Sequence, residues 1–503
     1  MKILMVYPRY PDTFWSLKQA LRVISKKAAF PPLGLLTVAS LLPKEWEKKL
    51  VDMNVTNLKD SDLKWADYVF ISAMVVQWDS VKEVVRRCKS LNVKMVAGGP
   101  LFTNEPDKFE EIDHLVLDEA EITLMPFLAD LAKGTLKHIY TSTERPDLSA
   151  APIPMWSLIN MKKYATLNAQ YSRGCPFDCD FCNIGQLYGH NVRTKSKEHS
   201  VAELDAIYNA GWRGRVFIVD DNFVGNKKKL KAEVLPAMIE WQTQHNNPFT
   251  LLTQASINLS DDDSLMDAMT AAGFDTVFVG IESPNEESLA ECNKKQNEHR
   301  DLTASVVRMQ NHGLQVQAGF IIGFDSDPIS VFKSQINLVQ KSGIVVAMVG
   351  LLNAPRGTKL HQRMEKENRL IMSTSGDNTD GSMNFVPKMD LQTLVNGYRD
   401  VLTKLYAPKP YYERVKIFLK EYKPTKRKGT SRIQMWQVWT MFRASWLMGV
   451  VDSGRMHYWR FFFSTLFKRP RSFSLSMTLA IYGYHFWTLV RRVTRVPVGT
   501  PTV

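Results

Sequence analysis

The first 145 residues alternate short apolar runs with stretches of helical periodicity. The apolar runs predict strands at 2–7, 50–53, 68–73, 93–97 and 114–117. Helical patterns fall between them. One spans 33–42, opened by Pro31-Pro32 and stopped by Pro43. Another spans 80–90, with Val81, Val84, Val85 and Cys88 on one face, and a third spans 122–132. Strand–helix alternation of this kind builds a doubly wound, flavodoxin-like parallel sheet, whose ligands sit beyond the carboxyl ends of the strands. Gly98-Gly99-Pro100 falls at such an end, where glycine lets a ligand approach the backbone.

Prolines 146, 152 and 154 mark residues 146–165 as a linker. From 166 to 385 the alternation resumes. Strands are expected at 167–173, 215–220, 249–255, 276–281, 315–322 and 345–351, and helices at 201–210, 229–243, 264–271, 303–312 and 328–342. Six βα units predict an open, partial (β/α)6 barrel with its site on the carboxyl-end face. Beyond 385 the pattern is mainly helical: 386–503 reads as a third module, with helical periodicity over 391–405. Trp436, Trp439, Phe442, Trp446 and Val450 recur at helical spacing and predict a packing stripe. Residues 472–490 carry no formal charge and lie between Lys468, Arg469, Arg471 and Arg491, Arg492, Arg495. The length suits a bilayer, but the Ser, Thr, Tyr, Gly and His content favours a buried or interfacial helix.

The chain has 503 residues, enough for two or three domains, with an ordinary apolar fraction of 45%. Five cysteines, three of them clustered, give no disulfide framework and point to a reducing compartment. The apolar run at the start is stopped by Pro8, too early for a signal peptide, so a cytoplasmic location is expected. The net charge of +13 is unevenly placed: residues 408–503 carry 18 Lys and Arg against three acids, so the rest of the chain is close to neutral. A basic module of this kind suits membrane phosphates, nucleic acid or an acidic substrate.

Cys175-x3-Cys179-x2-Cys182 follows the first strand of the barrel series. Three thiolates from one loop hold three irons of a cubane and leave the fourth open for chemistry. A zinc site completed by His190 or His199, or a redox thiol pair, is the alternative. The spacing, Phe181 before the last cysteine, and the place in the βα series favour iron–sulfur. Cys88 reads as core, Cys292 has no assigned role, and His361, His457 and His485 read as structural.

The loop and its βα series resemble the radical S-adenosylmethionine (SAM) superfamily. The resemblance implies that Cys175, Cys179 and Cys182 hold a [4Fe–4S] cluster whose open iron chelates SAM. Reductive cleavage of SAM then gives a hydrogen-abstracting 5′-deoxyadenosyl radical. It implies SAM contacts from Phe181 by the adenine, and from Gln254 and Ser256 at the carboxylate or ribose. Gly280, Glu282 and Ile322 lie on the ribose and adenine side. Asp221 and Asn222 stand where many members carry Gly-Gly-Glu, a departure that moves the methionine-amine role to them. Residues 1–145 resemble a cobalamin-binding domain through Tyr7-Pro8-Arg9, the segment 71–76, Gly98-Gly99-Pro100 and Asp118-Glu119-Ala120-Glu121. The implied cobalamin contacts are Ser72, Met74, Gln77, Gly98, Gly99, Pro100 and Glu119. The Asp-x-His-x-x-Gly motif is absent, so no histidine of that kind ligates cobalt.

The tail is similar in type to that of the hopanoid C-2 methyltransferases. The resemblance implies a cobalamin-dependent methyltransferase acting on an unactivated carbon of a small-molecule or lipid-like substrate. It further implies a flavodoxin or ferredoxin as reductant and a monomer touching the inner face of the membrane through 408–503, with nucleic acid an improbable partner. Rearrangement or cyclisation, SAM chemistry with a merely scaffolding first domain, and a non-catalytic iron–sulfur or zinc protein are the other readings.

Overall fold

The computed structural model describes residues 1–424 and 435–494. The charge run at 423–432 beyond Pro424, the Trp436 ring and Arg495 lie outside the described residues.

Six parallel strands form the first sheet: β1 (Lys2–Tyr7), β2 (Glu47–Asp52), β3 (Tyr68–Ser72), β4 (Lys94–Gly98), β5 (His114–Val116) and β6 (Ile139–Tyr140), in the order β2-β1-β3-β4-β5-β6. Both faces are covered. Ile3, Leu4, Met5 and Val6 of β1 are all fully buried because the pleat sends them alternately to opposite sides. Leu4 and Val6 join a core with Val81, Val84, Val85 and Cys88 of helix Trp78–Ser90. Ile3 and Met5 join one with Leu35, Leu124 and Phe127. Order reverses between β1 and β3, the switch point at which such sheets bind ligands.

The second sheet holds β7 (Leu167–Ala169), β10 (Gly214–Ile218), β11 (Phe249–Ala255), β12 (Phe274–Glu282), β13 (Gln315–Ile322) and β14 (Val346–Leu351). These follow one another in sequence order and all pair in parallel. With right-handed crossovers, sequential order puts every helix on one side and curls the sheet into an open barrel. One element differs from the sequence expectation. The predicted strand 167–173 breaks after Ala169, and β8 (Ser172–Arg173) turns away to pair antiparallel with β9 (Arg193–Thr194). The buried Asp220 carboxylate causes the break. It accepts from Tyr171 N and Ser172 N at 2.8 Å and from Ser172 Oγ at 2.6 Å, taking donors that a strand would spend on a neighbour. Burial pushes the Asp220 carboxyl up to about 7, against those three donors.

Helix Leu391–Tyr406 covers the free edge of β14: Tyr406 Oη donates to Ala347 O at 2.6 Å and accepts from Ala347 N at 3.1 Å. Helix Pro408–Glu421 follows, then Met435–Trp446, Arg455–Lys468 and Phe473–Val493. The last is a buried helix, as expected for 472–490, with Leu479, Ala480, His485, Phe486 and Val490 inside. No helix among the described residues is long and apolar enough to cross a membrane. The stripe Trp439, Phe442, Trp446 and Val450 corrects the sequence reading. Among the described residues these four side chains stand exposed.

Candidate functional site at the facing sheet ends

The carboxyl ends of the two sheets face each other across a cavity of about 950 Å³. The first domain contributes Arg9–Ser16, Lys18, Lys27–Phe30, Met53–Asn57, Met74–Val76, Asn104 and Glu105. The barrel contributes Phe217 at the end of β10, Gln254 near the end of β11, and the loops carrying Asn353–Arg356 and Gly376–Asn378. Asn183, next to Cys182, brings the cysteine loop to the same wall. Trp15 reaches over to Phe278 of β12 at 5.0 Å between ring centres, and Phe30 to Phe217 at 5.3 Å. Arg356 closes one side by bonding Glu105 (3.0 Å) and Asp107.

The cysteine loop leaves β8 through Gly174. Its φ of +94° and the carbonyl of Gly189, 2.8 Å from where a Cβ would stand, leave room only for glycine. Cys175 N bonds Gly189 O, Cys182 N bonds Cys179 O, and Asp180 N bonds the carbonyl of Cys292 at 3.0 Å. Cys292, which has no role in the sequence reading, thus anchors the loop through its backbone. Asn293 Nδ2 adds a hydrogen bond to Asp178 O at 2.7 Å.

Amide groups approach two of the sulfurs, Asn222 Nδ2 at 3.9 Å from Cys175 Sγ and Gln296 Nε2 at 3.8 Å from Cys179 Sγ. The Lys294 ammonium, paired with Glu282 at 2.8 Å, stands beside them and is held well above its ordinary value. Burial opposes that charge, but Glu282 and the cysteines outweigh it. Thiols met by amide donors and a cation suit an anionic iron–sulfur cluster. Among the described residues no three His, Cys, Asp or Glu are gathered closely enough for one metal ion. The three cysteines of a cubane each hold a separate iron and need no such gathering. His190 turns to Phe177 O (3.1 Å) and Asp178, and His199 to Glu203. Neither side chain is directed at the thiols as a fourth zinc ligand would be.

Of the residues expected at SAM, Phe181 lies edge-on to Phe324 at 6.4 Å, with Lys294 above it. Asn222 is buried and accepts from Ser256 N at 3.1 Å, so the two form one unit beside Cys175. Burial raises Asp221 to about 6, although it accepts from Gly174 N. Gln254 faces the cavity. Gly280 lies under the Glu282–Lys294 pair. Ile322 is wholly buried in the barrel core.

Of the residues expected at cobalamin, Met74 is exposed to the cavity. Gly99, with φ +92°, abuts Ser72: a Cβ there would stand 2.6 Å from Ser72 Oγ. Pro100 starts the short helix Pro100–Asn104, and Gly98 ends β4. Two residues are engaged elsewhere. Gln77 is buried and spends its amide on Met74 N and Pro8 O, shaping the loop from within. Glu119 faces the barrel: it bonds Arg173 at 2.6 Å and Arg193 at 2.7 Å, while Glu121 takes the other end of Arg173 at 2.7 Å. Arg145 stands 3.7 Å from Glu119 and reaches Gln186 O. The segment 118–121 thus grips the hairpin that carries the cysteine loop, a partnership between distant segments with no local sequence signal. The amides of Asn57 and Asn104 in the cavity wall suit a large ring fringed with amides, while Asn54 spends its own on Tyr10 N, Pro8 O and Asp52. No histidine is among the described lining residues.

Residues 21–128 match the B12 binding domain, 170–333 the radical SAM superfamily, and 358–496 a domain of unknown function, DUF4070. The chain is 38% identical to an uncharacterized methyltransferase of Synechocystis sp., covering 99% of this chain and 94% of that protein. It is 30% identical to the hopanoid C-2 methylase of Rhodopseudomonas palustris, covering 92% and 88%. Among solved structures, the fold is shared with the radical SAM methyltransferase TsrM from Kitasatospora setae, with a TM-score of 0.62, 14% identity and coverage of 92% and 98%. It is shared equally with the cobalamin-dependent enzyme OxsB, with a TM-score of 0.62, 13% identity and coverage of 98% and 80%. The chain belongs to the cobalamin-dependent radical SAM methyltransferase family, whose cofactors are a [4Fe–4S] cluster, SAM and cobalamin.

Proposed function

We propose that the protein methylates an unactivated carbon of an apolar, lipid-like small molecule held between the two sheets. The observation that carries this reading is the cavity itself. The apolar part of its lining is Phe14, Trp15, Ala28, Ala29, Phe30, Val55, Val75 and Val76, and the charged residues Arg9, Asp12, Lys18, Lys27, Glu105 and Arg356 also line it. Such a lining favours a ligand of large apolar area. The relative named as a hopanoid C-2 methylase supports the same substrate class.

When bound, the cluster with SAM supplies a radical that removes a hydrogen atom, and cobalamin supplies the methyl group. The chain's own residues order these parts. Cys175, Cys179 and Cys182 hold the iron side at the barrel mouth. Asn222 and Gln296 direct amide hydrogens at two of the sulfurs. Phe181, Asp221, Gln254, Ser256, Gly280, Glu282 and Ile322 are assigned to SAM. For Ile322 the assignment rests on its backbone, because its side chain is core. Ser72, Met74 and Gly98–Pro100 are assigned to cobalamin, Gln77 acting through its loop and Glu119 through the barrel hairpin. Trp15, reaching Phe278, excludes water from the space between. A flavodoxin or ferredoxin serves as reductant. The working unit is one chain in the cytoplasm, in contact with the membrane's inner face.

The test is a lipid comparison between cells with and without the gene. It is backed by anaerobic reconstitution to about four irons per chain and one cobalamin. A lipid heavier by one methylene only in the gene's presence is expected. An unchanged lipid profile, with SAM still cleaved on reduction, refutes the substrate class.

A further inference from the structure

Ten of the large hydrophobic side chains that stand exposed among the described residues lie between 438 and 467. They are not scattered. On helix Met435–Trp446 and the turn after it, Trp439, Phe442, Trp446 and Val450 form one stripe, with Trp439 70% and Phe442 67% exposed. Ala444 and Met448 point inward. On helix Arg455–Lys468, Met456, Phe463 and Phe467 form a second outward stripe opposite the buried Tyr458, Phe461 and Thr465. The helices are locked side by side, Ser445 Oγ to Tyr458 Oη at 2.7 Å and Trp459 Nε1 to Gly449 O at 2.9 Å. The two exposed stripes thus lie on neighbouring helices of one module.

The charges on these helices have one sign. Arg443, Arg455, Arg460, Lys468 and Arg471 have no carboxylate partner among the described residues. The lone acid between 435 and 494, Asp452, is turned to Arg491 at 3.2 Å. A second copy of the chain would bring cations against cations, and a monomer in water leaves aromatic area wet. Aromatic rings at the headgroup level, with Arg and Lys stems lying along apolar surface, are what an anionic bilayer surface accommodates.

These helices are also connected to the cavity. Helix Arg455–Lys468 packs on Phe473–Val493, and helix Met435–Trp446 packs on helix Lys18–Val23, which Phe473–Val493 also touches. Helix Phe473–Val493 in turn holds the cavity roof, with Phe486 on Phe14 at 5.8 Å, Arg492 on Asp12 at 2.7 Å, and His485 Nδ1 accepting from Gln19 N at 3.4 Å.

We propose that the exposed stripes of helices Met435–Trp446 and Arg455–Lys468 dock the protein on a bilayer surface rich in anionic lipid. This deepens the lipid-substrate reading and rests on it for its purpose, though docking is measured without turnover.

The experiment is co-sedimentation of the full-length, reconstituted protein with vesicles of mixed phosphatidylglycerol and phosphatidylcholine, and with phosphatidylcholine alone. Binding to the mixed vesicles is expected, with affinity falling as salt rises. The variant Trp439→Ser/Phe442→Ser/Trp446→Ser should bind at least about tenfold more weakly. Arg455→Gln/Arg460→Gln should lose the preference for the anionic vesicles. Both variants should still cleave SAM in solution, which shows that they fold. Equal binding to both vesicle types, undiminished binding by the triple variant, or a dimer that the triple variant dissolves overturns the proposal. Docking without a methylated lipid refutes the substrate reading and leaves the docking surface standing.

Discussion

The contact between segment 118–121 and the cysteine hairpin should carry a large, measurable part of the domain interface. The perturbation is Glu119→Gln, which keeps the shape and removes the charge. The Glu119 side chain is 2% exposed, with Arg173 at 12% and Arg193 at 15%, so solvent does not replace the lost carboxylate. Removing one partner of a buried ion pair costs about 3–5 kcal/mol, because the remaining charges are stranded. Arg173 keeps Glu121, which places the cost at the low end, about 3 kcal/mol. Arg193 keeps only backbone carbonyls of Pro146 and Tyr188. The assay is a urea midpoint read with the m-value, for Glu119→Gln, Arg193→Gln and the double variant. The double variant should be less damaged than the sum of the singles, because it leaves no stranded pair. The cluster's electron paramagnetic resonance line should broaden in Glu119→Gln, since Arg173 precedes Gly174 and Cys175 directly. Acid should weaken the same contact through Glu121. Burial works to raise the Glu121 carboxyl, but the hydrogen bonds and charge of Arg173 outweigh it and hold it below its ordinary value. Its contribution is therefore present above the unfolded carboxylate pKa and lost as pH falls through the lower folded one. A cost under about 1 kcal/mol, or strict additivity in the double variant, would refute the reasoning.

Cys179→Ala should lose the cluster's absorbance and all reductive SAM cleavage; cleavage that survives would sink the cluster assignment. Gly99→Ala forces a Cβ to 2.6 Å from Ser72 Oγ at φ +92°, a strain of about 1–3 kcal/mol. It should lower the melting temperature and the cobalamin retained after reconstitution, and full retention would count against the seat. His485 is buried, and burial lowers it to about 4. A histidine depressed in the fold contributes fully above its unfolded value near 6.5, and loses up to about 3 kcal/mol as pH falls toward 4. Stability between those limits should fall in the native chain and fall less in His485→Asn; parallel profiles would exclude the histidine.

The two sheets were legible because their information is local. Apolar runs of four to six residues between helical periods mark strands buried on both faces, and 249–255 and 315–322 are strands to the residue. The cysteine spacing is legible for the same reason: Cys175, Cys179 and Cys182 lie on one short loop. The break after Ala169 was not, because it depends on Asp220, about fifty residues away, reaching back to Tyr171 and Ser172. Glu119 read as a ligand residue from the segment around it, yet its partners Arg173 and Arg193 are brought to it only when the domains meet. The aromatic stripe at 439–450 shows the same limit from the other side. Helical spacing says that the residues share a face, while only the packed structure says whether that face is covered, and among the described residues it stands exposed. Sequence alone thus determined the strands, the metal loop and the cofactor class. Tertiary structure decided which charges meet, which aromatics stay outside, and that both sheets open onto one cavity, because each depends on surfaces assembled from distant segments.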